Sequence, residues 1–162
     1  MASKATASHF LTCTIRPALQ SLPLLWHDRA EELLLGTAIV ESDLIHRKQV
    51  GGGPARSFFQ MEPLTHDDIW NNYLKYHPEL GKAITKLMKS PDRLLALEHE
   101  NQQYACAMAR AHYARVKWLL PKGGDVKAMA KYWKDHYNTS HRNAKGTPNK
   151  YIEKWNKVMG GK

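Results

Sequence analysis

Glu41 follows eight mostly apolar residues, Leu33 to Val40, and stands at the carboxyl end of the helix that those residues predict. Exposed carbonyls at a helix C-terminus carry partial negative charge, and apolar neighbours withhold water. Both influences disfavour the carboxylate. A carboxylic acid kept protonated near neutral pH is what a general acid needs to hand a proton to a leaving oxygen. Ten residues further on begins a second unusual segment, Gly51-Gly52-Gly53-Pro54-Ala55-Arg56-Ser57-Phe58-Phe59-Gln60, followed by Met61-Glu62-Pro63-Leu64-Thr65. Three glycines and a proline cannot continue a helix, so a loop or short irregular β segment is expected there.

Together, Glu41-Ser42 and this loop resemble the signature of the lytic transglycosylase and goose-type lysozyme family. In that family a Glu-Ser pair ends a helix, and a Gly-Ala-x-Gly-Leu-Met-Gln loop follows, continued by a hydrophobic residue, proline and threonine. Ala55 and Gln60 match the loop, Phe58-Phe59 stand for Leu-Met, and Met61, Pro63 and Thr65 fit the continuation. Pro54 and Ser57 stand where the family has glycine, which changes the backbone freedom available to the loop. Near the C-terminus the family carries an Asn-led helix and then a Tyr-Asn pair. Asn101, ahead of Tyr104-Ala105-Cys106-Ala107-Met108, is a loose match for the helix. Two placements compete for the tyrosine: Tyr132, which has the right lead-in but precedes Trp133, and Tyr137, which precedes Asn138 and is slightly favoured.

The resemblance implies a mainly α, lysozyme-like helical domain with an irregular or small β loop after the catalytic helix, its motif-bearing core spanning about 24–140. It implies that Glu41 is the acid/base, that Ser42 is a polar neighbour helping to orient it, and that Gln60 is a hydrogen-bonding group beside the cleft. Phe58 and Phe59 would wall that cleft, and Tyr137 (or Tyr132) with Asn138 would face the acid. The implied reaction is non-hydrolytic. Glu41 protonates the glycosidic oxygen between N-acetylmuramic acid and N-acetylglucosamine, then takes a proton from the muramyl 6-hydroxyl, which closes on the anomeric carbon as an anhydro product. A hydrolytic variant needs a second carboxylate to handle water, and Asp43, Glu62, Asp67 and Asp68 are the candidates.

The elements that must position these residues read as follows. A short helix over Ser8–Gln20 is interrupted near Pro17. Ser21-Leu22-Pro23 supplies a cap and first-turn proline for the helix ending at Glu41-Ser42, with Leu24, Leu25, Leu33, Leu34, Thr37 and Val40 at helical spacing. Thr65 and Asp68 form a capping-box-like start for a helix ended by His77-Pro78. Leu80, Ile84, Leu87 and Met88 mark another. Ser90-Pro91 opens a long central helix running towards Leu119, stopped by Pro121-Lys122-Gly123-Gly124. Asp125 caps a helix from Val126 to about His136, and Thr147-Pro148 starts a basic last helix, 147–159, with Tyr151, Ile152, Trp155 and Met159 on one face. Gly160-Gly161 closes it.

A chain of 162 residues, 43% hydrophobic and with five tryptophans, is suited to one globular domain spanning 1–162. The net charge of +9 is unevenly placed: residues 1–110 carry 12 Lys and Arg against 12 Asp and Glu, residues 111–162 carry 12 against 3. Such a basic third concentrates polyanions, whether nucleic acid, anionic lipid or the acidic polymers and peptide carboxylates of a bacterial wall, and sign alone does not choose among them. Asn138 to Thr147, with His141, Arg142 and Lys145, is expected to form a basic loop at one end of the cleft. Cys13 and Cys106 suggest two small buried thiols rather than a disulfide scaffold. The nine histidines lack metal spacing, so neither metal nor other cofactor is expected. No apolar stretch is long enough to span a bilayer and no secretory h-region follows Met1, which points to carriage by a bacteriophage particle or tail, with other virion proteins as partners, or to its rival, a cytoplasmic endolysin released through a holin. The alternative is a non-catalytic virion protein of the same fold that contacts DNA through lysines interleaved with aromatics, as in Lys131-Tyr132-Trp133-Lys134.

Overall fold

The computed structural model describes residues 1–139 and 145–160; the expectations for His141, Arg142 and Gly161 fall outside the described residues. The chain is mainly helical. Among the described residues nine α-helices follow in order: α1 (Lys4–Phe10), α2 (Arg16–Gln20), α3 (Asp28–Ser42), α4 (Pro63–Asn72), α5 (Pro78–Lys86), α6 (Arg93–Glu98), α7 (Gln103–Ala114), α8 (Val126–His136) and α9 (Pro148–Met159). A π-helical segment, Leu11–Ile15, joins α1 to α2, and a 3₁₀ turn, Leu74–Tyr76, joins α4 to α5. The expected interruption near Pro17 takes the form of that π turn: the Arg16 amide reaches back to Leu11, so the chain stays helical on either side of a residue that has no amide to give.

Two helices are buried all round and form the axis of the core. In α3 every residue from Leu33 to Val40 is buried, and in α7 every residue from Tyr104 to Ala111. Helices α7, α8 and α9 pack against α3. Thr37 and Tyr113 join α3 to α7 through a buried hydroxyl pair at 2.8 Å. Helix α9 comes closest at Gly36, where an added Cβ would lie 1.8 Å from the Tyr151 hydroxyl. Only glycine lets the tyrosine seat there.

Several boundaries differ from the sequence reading. Helix α3 starts at Asp28, capped by the His27 ring, and not at Pro23, because Leu24 adopts a left-handed φ of 61° that no helix can include. Helix α4 starts at Pro63, two residues before Thr65. The long helix expected from Ser90 to Leu119 is two helices. Between them, the His99 ring accepts the Asn101 amide at 3.0 Å and the Asn101 carboxamide accepts the Gln103 amide at 3.0 Å, while Gln102 donates to the carbonyls of Leu97 and His99. Side chains that take over backbone partners in this way end a helix. By contrast Asp125 caps α8 through the Ala128 amide and Thr147 caps α9 through the Lys150 amide, as their sequence pattern predicts. Cys106 is buried but Cys13 is exposed, correcting the expectation of two buried thiols.

Residues 43–62 form the irregular segment. Two isolated bridges, Lys48 with Arg56 and Arg56 with Met61, supply its β character. Gly51 and Gly52 take φ of 88° and 81° in open space at its tip. No helix among the described residues is long and apolar enough to cross a membrane.

Candidate active site

At the carboxyl end of α3 the chain turns sharply, with Asp43 and Leu44 both in the left-handed region. The Ser42 hydroxyl fixes this turn, donating to the Ala38 carbonyl at 2.9 Å and accepting the Leu44 amide at 3.3 Å. Ser42 therefore shapes the backbone that presents Glu41 and makes no bond to its carboxylate. Lys154 of α9 closes the helix end, donating to the Val40 carbonyl at 3.1 Å and pairing with Asp43 at 2.8 Å. A cation there offsets the partial negative charge of the helix terminus.

Glu41 lies in a cleft of about 410 Å³ whose walls include Gln60 and Met61 from the loop, Thr65 from α4, His112 from α7, and Tyr137 and Asn138 beyond α8. Its Oε1 accepts the Trp133 indole N–H at 2.9 Å and, at a longer 3.4 Å, the Asn138 carboxamide. Lys134 donates to the Asn138 carbonyl oxygen at 3.0 Å, which turns the amide N–H₂ towards Glu41. Burial pushes the Glu41 carboxyl up to about 7, against the opposing pull of the Trp133 and Asn138 hydrogen bonds and the nearby Lys154 and Lys150 charges. Both donors address Oε1. In the neutral acid that oxygen is accordingly the carbonyl one, and the proton sits on Oε2.

Trp133 is itself held in place. Its ring packs against Tyr151 at 5.6 Å between centroids, and Gly146 lies flush against the edge of its benzo ring, since a Cβ there would fall 2.4 Å from the indole. Two glycines, Gly36 against Tyr151 and Gly146 against Trp133, thus make room for the aromatic pair that carries the hydrogen bond to the acid.

The loop opposite is braced from three directions. Arg56 and Met61 exchange both backbone hydrogen bonds, at 3.0 and 2.9 Å. The Ser57 amide donates to Arg47 at 2.8 Å. The buried Gln102 side chain accepts the Phe58 amide at 2.8 Å. Ser57 adopts φ of 73°, the left-handed conformation that the family's glycine would favour, and its hydroxyl accepts the Phe59 amide at 3.1 Å. Gln60, also left-handed, donates its side-chain amide to the carbonyls of His46 and Ser57. Arg56 and Lys48 both pair with Glu98 of α6, tying the loop to the body.

Of the residues expected at the site, Glu41, Ser42, Gln60, Tyr137 and Asn138 come together around the cleft. The Tyr137 hydroxyl donates to the Phe59 carbonyl at 2.8 Å, so it joins α8 to the loop and does not bond to the acid. Phe58 and Phe59 do not wall the cleft. Phe59 is fully buried and both rings pack on Phe10 of α1, because the αL turn at Ser57 aims them inward. Tyr132 is also absent from it: its hydroxyl donates to the Trp118 carbonyl at 3.2 Å on another side of α8. Among the carboxylates considered for water activation, Asp43 and Glu62 border the cleft, whereas Asp67 binds the His66 ring and Asp68 pairs with Arg115. Sequence reasoning missed Trp133, Lys154 and His112. A signal for the first was available: Trp133 and Tyr137 are four residues apart on one helix and so share a face.

His112 is half-buried and edge-on to Tyr137 at 4.9 Å. Its Nδ1 accepts Arg115 at 2.6 Å. Burial first, and the Arg115 charge second, push its pKa down to about 4, so it is a neutral wall at ordinary pH and not a second acid. Among the described residues no three His, Cys, Asp or Glu side chains gather as a metal would require. No protein-family model, curated protein or solved structure matches the chain.

Proposed function

We propose that this chain is a peptidoglycan lytic transglycosylase, in which Glu41 works alone as acid and then base. The observation that carries the reading is the carboxyl of Glu41, poised at about 7 in a cleft whose opposite wall is the Gln60 loop. A group titrating there serves both halves of such a reaction: protonated, it gives its Oε2 proton to the glycosidic oxygen; ionised, it receives the proton of the muramyl 6-hydroxyl. Trp133 and Asn138 stabilise the carboxylate formed between the two steps, since N–H donors on Oε1 strengthen as charge develops. The resemblance of the Glu41-Ser42 and Ala55 to Thr65 segments to the lysozyme-like family supports the same reading.

The test is digestion of purified peptidoglycan by the wild-type protein and by Glu41→Gln, with the products read by mass spectrometry. Anhydro-muropeptides from the wild type and none from the variant are expected. Reducing-end products would reassign the protein as a hydrolase and turn attention to Asp43 and Glu62. No products from the wild type would favour a non-catalytic role for the basic C-terminal third.

A further inference from the structure

The end of the molecule away from the cleft carries a second feature. Two loops meet at the N-terminus of α3: residues 21–27, which lead into it, and residues 115–125. Arg29 of α3 donates to the Leu120 carbonyl at 3.3 Å and Glu32 accepts the Gly124 amide at 2.6 Å, which fastens the second loop to the first turns of the helix that the first loop leads into; the Trp26 indole N–H reaches Glu31 of the same turns at 3.4 Å. From these loops four large apolar side chains stand in solvent: Leu24 (102% exposed), Trp26 (51%), Trp118 (75%) and Leu119 (87%). They are not loosely placed. Leu24 is held in a left-handed conformation, φ 61°, which side chains other than glycine resist. The Leu25 carbonyl is pinned by Arg110 at 3.0 Å and the Trp118 carbonyl by Tyr132 at 3.2 Å. Natural proteins seldom fix several exposed apolar side chains on one end without a use for them.

The charges around this tip say what the use is. Lys117 and Lys122 flank Trp118-Leu119 in the sequence, both exposed, and neither pairs with an acid among the described residues. Arg110, nine-tenths buried beneath the Leu25 loop, has no carboxylate partner among them either. Of the acids at this end, Glu31 pairs with Arg16, while Glu32, Asp125 and Asp28 keep their charge, bonded to the Gly124 amide, the Ala128 amide and the His27 ring; Arg29, Arg110, Lys117 and Lys122 outnumber these three. Tryptophan and leucine that enter the headgroup boundary, with unpaired lysines beside them, are the chemistry that anionic bilayers attract.

We propose that the Leu24, Trp26, Trp118 and Leu119 tip is a docking site for an anionic lipid surface. Arg29 and Glu41 are twelve residues apart on α3, about 18 Å along the helix at its standard rise. A protein resting on a bilayer by this tip therefore holds its cleft away from the lipid, facing whatever polymer lies above. Docking does not depend on the reaction assigned to Glu41.

The full chain is tested by flotation with vesicles of phosphatidylcholine alone and of phosphatidylcholine mixed with phosphatidylglycerol. The wild type is expected to float with the mixed vesicles, less so as salt rises. A Trp118→Ser/Leu119→Ser variant should lose roughly tenfold or more in affinity, as the removal of two inserted apolar side chains requires. Lys117→Gln/Lys122→Gln should float no better with mixed vesicles than with neutral ones. Because these side chains are exposed, melting temperatures should match the wild type, and Glu41→Gln should bind vesicles normally. Failure of the wild type to float, or equal flotation of wild type and the Trp118/Leu119 variant, overturns the proposal. So does a concentration-dependent dimer that the Trp118/Leu119 variant dissolves, which would make the tip an interface between two copies.

Discussion

At the scale of single residues, Glu41, in the role proposed for it, would couple activity to stability through one proton. It titrates near 4.5 when unperturbed and near 7 in the fold. Between those values the native state binds more protons than the unfolded one, so stability is full below pH 4.5 and falls as pH rises towards 7, by up to about 3 kcal/mol. Glu41→Gln removes the titration. Its melting temperature should equal or slightly differ from wild type at pH 4 and exceed it clearly at pH 8, while its cleavage rate drops about a hundredfold or more. A melting difference that does not grow with pH would mean that burial does not raise this carboxyl. Trp133→Phe tests the hydrogen bond separately. The indole N–H lowers the Glu41 pKa, so its loss should move the alkaline limb of the pH–activity profile to higher pH while the fold persists; an unmoved limb would rule the bond out of the electrostatics. Glu41, Gln60 and Asn138 were legible in the sequence because motif spacing fixes where the backbone brings a residue. The directions of Phe58, Phe59 and Tyr132 were not legible, since ring orientation follows from the αL turn at Ser57 and from the Trp118 carbonyl, both products of tertiary packing.

At the scale of elements, the site depends on how α8 and α9 seat against α3. Gly36→Ala would force the buried Tyr151 hydroxyl out of its slot, which should cost about 2 kcal/mol or more, as overpacking of a tight core does. A denaturant midpoint unchanged by this substitution would show that α9 is less closely docked than it stands here. Gln102→Ala would leave the Phe58 amide and two carbonyls without their partner and should lower stability by about 1–3 kcal/mol. Its effect on cleavage should exceed what unfolding explains, because Phe58 lies in the loop that faces Glu41; activity per folded molecule is the measurement. The starts of α8 and α9 were legible because a side-chain cap is a local device, written within four residues at Asp125 and Thr147. The split between α6 and α7 was not. It is made by His99, Asn101 and Gln102 competing for backbone groups, and those residues carry no glycine or proline to announce a break.

At the scale of the whole molecule, the mainly helical class follows from hydrophobic spacing that recurs every three to four residues, and the structure bears it out. The charge asymmetry acts over the same scale. Helices α8 and α9 are rich in lysine and bring Lys134 and Lys154 beside the site, so on the proposed reading binding to purified cell-wall sacculi should weaken as salt rises from low to physiological strength. Binding indifferent to salt would remove the basic third from substrate attraction. The slot at Gly36 also bears on when the site is complete. Residues 36 and 151 are distant in sequence, and joining them carries the loop-closure cost of a contact of that span. Until α9 seats, Tyr151 does not back Trp133 and Lys154 does not reach the end of α3. Until the closing of α8 and α9 completes its burial, then, Glu41 is an ordinary solvated carboxylate, and the weakened acidity that the proposed chemistry needs is a property of the finished fold rather than of the helix that carries the residue.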